Sequence, residues 1–72
     1  MLYKIEHIKK YIVESKSVLE TDSTDDAVSY LMKFYWISDK RNRKDLYDLL
    51  RYIKSKIVFE HNNYKIIINK NQ

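Results

Sequence analysis

The chain has neither glycine nor cysteine in its 72 residues, and each absence removes a class of chemistry. Phosphate-cradling loops, dinucleotide fingerprints and EF-hand calcium loops all need glycine, for a positive φ or for close approach of backbone to ligand. An oxyanion loop is equally hard to build, and no nucleophile–base spacing recurs among the serines. Without cysteine there is no disulfide framework and no thiolate metal site, which fits a reducing compartment. Long apolar runs are missing too. The longest aliphatic run is Ile66-Ile67-Ile68, against the ~20 residues that span a bilayer, and no charged-then-apolar segment opens the chain. The expectation is a soluble, unprocessed, cytoplasmic protein that is not an enzyme, holds no cofactor or metal, and uses neither a membrane nor a small-molecule substrate.

What the chain has in abundance is Lys, Ile, Asn, Tyr, Phe and Met, together half of its residues. That set is encoded by AT-rich codons, as in a phage, another mobile element, an archaeal virus or a low-GC bacterium. The length makes residues 1–72 one small domain, of a size that buries only about 60% of the surface its unfolded form exposes. The formal net charge is +4 and it is uneven: residues 1–36 carry −1 and residues 37–72 carry +5. With no linker or repeat between the halves, one face of a single unit should be electropositive.

Periodicity suggests three helices. Ile5, Ile8, Ile12 and Leu19 recur at i, i+3, i+7 and i+14, which predicts a first helix from about Leu2 to Lys16, with Glu6 and Lys10 as an i,i+4 ion pair. Residues 17–21 could form a short strand. Ser23 can cap a second helix that opens on Asp25 and Asp26 and runs to about Trp36. Its core stripe is Ala27, Leu31 and Phe34, but Val28, Tyr30, Met32, Tyr35 and Trp36 carry apolar surface most of the way round. Such a helix is central or half of a dimer contact, with Met32, Tyr35 and Trp36 the interface candidates. A strand over residues 27–37 is the competing reading, since Val, Tyr, Phe and Trp favour sheets. A third helix runs from about Lys40 or Arg43 to Ser55, with Leu46, Leu49, Leu50 and Ile53 facing the core.

The run Lys40-Arg41-Asn42-Arg43-Lys44 puts four cations at the start of that third helix, the end where the macrodipole favours acids. Folding gains nothing there, so an anionic partner is the natural explanation. At 100° per residue, Lys40, Arg43, Lys44, Tyr47, Arg51 and Lys54 share one arc that excludes Asp45 and Asp48. Two β-rich runs, 57–60 and 64–68, then flank Asn62-Asn63, a pair suited to a tight hairpin turn. Residues 70–72 should fray.

The fold class expected from this order is α+β, three helices followed by a C-terminal β-hairpin. In element order it resembles the winged helix-turn-helix domains. The resemblance implies that Lys40, Arg43, Lys44, Tyr47 and Arg51 face the major groove of double-stranded DNA, with Asn62, Asn63 and Lys65 on the wing. Together with Arg41 and Lys54 these are the candidate nucleic-acid-binding residues, since Lys and Arg neutralise phosphates and Asn, Arg and Tyr can bond to base edges or sugars. The leading expectation is a transcriptional regulator. The rival is a protein-binding inhibitor, from a phage or mobile element, of a host nucleic-acid enzyme or defence complex. Glu20, Asp22, Asp25 and Asp26 have the chemistry of a divalent-metal site, but helix capping accounts for them. His7 and His61, in different elements, are expected to face solvent.

Overall fold

The computed structural model describes residues 1–10 and 14–71. Its order is β1 (Leu2–Lys10), β2 (Glu14–Thr21), α1 (Thr24–Met32), α2 (Tyr35–Ser38), α3 (Arg43–Tyr52), β3 (Lys56–His61) and β4 (Tyr64–Asn71). The strands form one antiparallel sheet in the order β2-β1-β4-β3, and the helices lie on one of its faces. This overturns the winged arrangement. Strands come before and after the helices, and β4 is an interior strand paired on both edges rather than part of a peripheral wing.

The predicted first helix is two strands instead. Tyr3 and Ile5 alternate inward at 0% exposure, which is a period of two, whereas the Ile5–Ile8 spacing that suggested a helix splits between the two sheet faces. Ile12 lies outside the described residues. What selects the strand is β4: Ile66 and Ile68 face His7 and Ile5 across the ladder and bury the same side. Glu6 accordingly pairs with Lys16 on β2, not with Lys10. The residues 17–21 fall inside β2.

Helix α1 starts where Ser23 accepts a hydrogen bond from the Asp26 N–H at 3.1 Å, with Asp25 and Asp26 in its first turn. It does not reach Trp36. Phe34 turns extended (φ −92°, ψ 114°), after Lys33 and Phe34 close the helix with i→i−3 bonds to Tyr30 and Leu31. The break serves the core: it turns Trp36 and Ile37 inward on the short α2. Asn42 then caps α3, accepting from the Asp45 N–H at 2.8 Å. Lys40 and Arg41 therefore precede the helix, and their N–H groups bond to the Ile37 carbonyl at the end of α2. The dipole conflict read into all four cations concerns only Arg43 and Lys44.

At the far end of α3, Lys70 is buried at 7% exposure. Its ammonium donates to the Leu50 and Arg51 carbonyls at 3.2 and 2.6 Å, satisfying acceptors that a helix C-terminus leaves open. Tyr3 Oη donates to the same Leu50 carbonyl at 3.4 Å. Lys70 and Asn71 are thus part of β4 rather than frayed; Gln72 is outside the described residues. No helix among the described residues is long and apolar enough to cross a membrane.

Candidate nucleic-acid interface

The β3–β4 turn organises the site. Asn62 takes a left-handed φ of 53°, which Asn tolerates better than other residues bearing a side chain, and His61 pairs with Tyr64 across the two-residue loop. The Lys10 N–H bonds to the Asn63 carbonyl at 2.8 Å, tying the end of β1 to the same turn.

Above this turn lies an aromatic cluster. Trp36 stacks on His61, with centroids 5.4 Å apart and planes 8° from parallel, and Tyr35 meets His61 edge-on at 6.2 Å. His7 stacks on Tyr64 at 5.7 Å and lies 4.6 Å from Phe34. Neither histidine is simply solvent-facing, contrary to expectation: both are half-buried in ring contacts. Burial pushes the His7 pKa down, with help from Lys9, and its Nε2 has no hydrogen-bond partner among the described residues.

Three cavities open around the turn. One of about 280 Å³ is lined by His7, Lys33, Phe34, Tyr35, Trp36 and Tyr64. A second, about 180 Å³, shares Trp36 and adds Ile37, Lys40, Arg41, Phe59, Glu60 and His61. The third, about 170 Å³, shares Glu60 and Tyr64 and adds Lys10, Asn62, Asn63 and Lys65. Five cations and a single acid line these concavities, and that acid, Glu60, has Lys65 at 3.7 Å. Arg41 lies over the Phe59 ring at 5.3 Å.

Of the residues expected to bind nucleic acid, the fold gathers Lys40, Arg41, Asn62, Asn63 and Lys65 at this end of the sheet. Arg43, Lys44, Tyr47, Arg51 and Lys54 stay apart on α3 or just beyond it. There the sorting of cations from acids breaks down. Lys44 pairs with Asp48 at 3.0 Å, a contact that raises the Lys44 pKa, Arg43 donates to the Asp25 carbonyl at 3.4 Å, and Tyr47 is partly buried against the core. Among the interface candidates, Trp36 is only 9% exposed and Met32 packs against the core, while Tyr35 stands 71% exposed. Lys10, Lys33, Phe34, Phe59, Tyr64 and both histidines were not foreseen as site residues. Their convergence depends on strand pairing between β1, β3 and β4, and no local spacing signals it.

No protein-family model matches this chain, and comparison with curated proteins and with solved structures finds no match.

Proposed function

We propose that this protein binds nucleic acid through the end of the fold around the β3–β4 turn. The observation that carries the reading is the meeting of two cavities at one aromatic cluster, bordered by Lys33, Lys40 and Arg41, next to a turn whose Lys10 and Lys65 stand on the other face of the sheet. Cations neutralise phosphates and release their counterions, while ring faces and Asn side chains suit bases. The regulator reading borrowed its recognition helix from the winged arrangement and loses that support with it.

The salt dependence of binding tests the proposal. If Lys33, Lys40 and Arg41 meet phosphates of a single strand, log K should fall against log salt with a slope of roughly −2. Binding that is absent at low salt, or indifferent to salt, would remove it. A protein-binding role draws on a different surface, the sheet face without helices, where Val18 and Val58 are 49% and 40% exposed. Partner capture abolished by Val58→Lys and indifferent to Arg41→Ala would favour that role.

A further inference from the structure

The 280 Å³ cavity differs from its neighbours in being walled by four aromatic rings, Phe34, Tyr35, Trp36 and Tyr64. Its volume is near the lower end of ligand pockets, roughly 300–1,000 Å³, so it suits one planar ring system rather than an extended molecule. Two polar groups line it as well. Lys33 supplies a cation and His7 an imidazole ring. An apolar occupant, such as a leucine anchor from a protein, would use the ring walls and leave the cation idle. A planar base on a charged backbone matches both, stacking on the rings while a phosphate meets the ammonium.

Cations also lie on both sides of the aromatic group. Lys33 borders this cavity, while Lys40 and Arg41 border the next one, across the shared Trp36 wall. A single nucleotide would engage one side. A continuous backbone can engage both, with a base set down between them.

We propose that this cavity receives one unpaired base of a single-stranded nucleic acid, stacked against Tyr35, with the strand's phosphates at Lys33 and at Lys40 and Arg41. The inference rests on the nucleic-acid reading above and makes it specific: the ligand is a single strand, and the base itself contributes affinity. Duplex DNA, whose bases are stacked and paired, cannot fill the pocket without opening.

Trp36, the sole tryptophan, lines the cavity and provides the readout. The 72-residue chain is titrated at low salt with a short oligothymidylate, the same backbone made abasic, a blunt duplex, and thymidine monophosphate. The expected result is a change in Trp36 emission with the base-bearing strand and affinity about tenfold above that for the abasic strand, the scale of one stacked base. Tyr35→Ala should erase that difference while leaving abasic binding unchanged; Tyr35 is exposed, so its removal should not unfold the protein. Lys40→Ala should weaken both strands alike. Equal affinity for base-bearing and abasic strands, or duplex binding as tight as single-strand binding, would overturn the pocket while leaving the nucleic-acid reading in place. Monophosphate binding as tight as the strand's would overturn the strand. Failure of every oligonucleotide to bind would end both.

Discussion

The Trp36 indole lies flat on the His61 imidazole, 5.4 Å between centroids and 8° from parallel, so the four-residue helix α2 is fastened to the edge strand β3 through the His61 ring, which Tyr35 also meets edge-on. Trp36 is the wall shared by two cavities, and His61 lines one of them. Burying Trp36 inside the protomer stabilises the end of the sheet that carries the cations, and it leaves Tyr35 as the ring that faces outward.

Trp36→Ala should therefore act first on stability. Truncating a buried Trp costs about 3–5 kcal/mol, a large share of what a domain this small can have. His61→Ala removes the stacked partner from a half-buried position and should cost less, about 0.5–1.5 kcal/mol. Urea denaturation followed by circular dichroism checks both. A Trp36→Ala variant as stable as the parent would mean that the ring is not part of the core.

Lys70 should matter more than its place near the end of the chain suggests. Lys70→Met keeps the apolar stem and deletes the donors to Leu50 and Arg51, leaving the Leu50 carbonyl with only the Tyr3 hydroxyl and the Arg51 carbonyl without the ammonium. The expected loss is about 1.5–3 kcal/mol, the range for hydrogen bonds to charged groups. Faster amide exchange in the last turn of α3 should accompany it. An unchanged urea midpoint would show that water replaces the ammonium without cost.

His7 predicts a pH dependence of stability. Desolvation, then Lys9, lowers its folded pKa below the ordinary 6.5, while Lys33 and Tyr64 line the same cavity. Just below pH 6.5 the unfolded chain binds more protons at this position than the folded one. The stability it contributes is present above that pH, falls as pH drops from 6.5 to the depressed folded value, and levels off below it. His7→Phe should flatten this part of the profile. A parent protein equally stable at pH 7.5 and 5.5 would contradict the burial argument.

Lys44 and Arg41 should separate in their salt response. Asp48 neutralises Lys44 from one turn along α3, whereas Arg41 borders a cavity at the aromatic end. Arg41→Ala should flatten the log K against log salt slope for a single strand by about 0.7, and Lys44→Ala should barely change it. The reverse order would move the binding surface onto α3.

Several features followed from local sequence because the physics behind them is local. Ser23 with Asp25 and Asp26 makes a helix start wherever the segment lies, since the cap and the dipole act within one turn. Asn62-Asn63 between two β-rich runs makes a tight turn, since Asn accepts the left-handed backbone that such a turn needs. Residues 2–16 had no such local answer. Their apolar residues fit both a period of two and a period near 3.6, and only pairing with β4, more than fifty residues away, makes burial of Tyr3 and Ile5 on one sheet face the better solution. The same holds at the site. Lys40, Arg41 and the Asn pair were legible as surface chemistry, but a helical arc drawn through Lys44 and Tyr47 could not reveal that Asp48 holds one and the core covers part of the other. Only the register of β1, β3 and β4, fixed by ladder hydrogen bonds between distant segments, brings His7, Tyr64 and His61 under Trp36 and gathers scattered rings and cations at one end of the sheet.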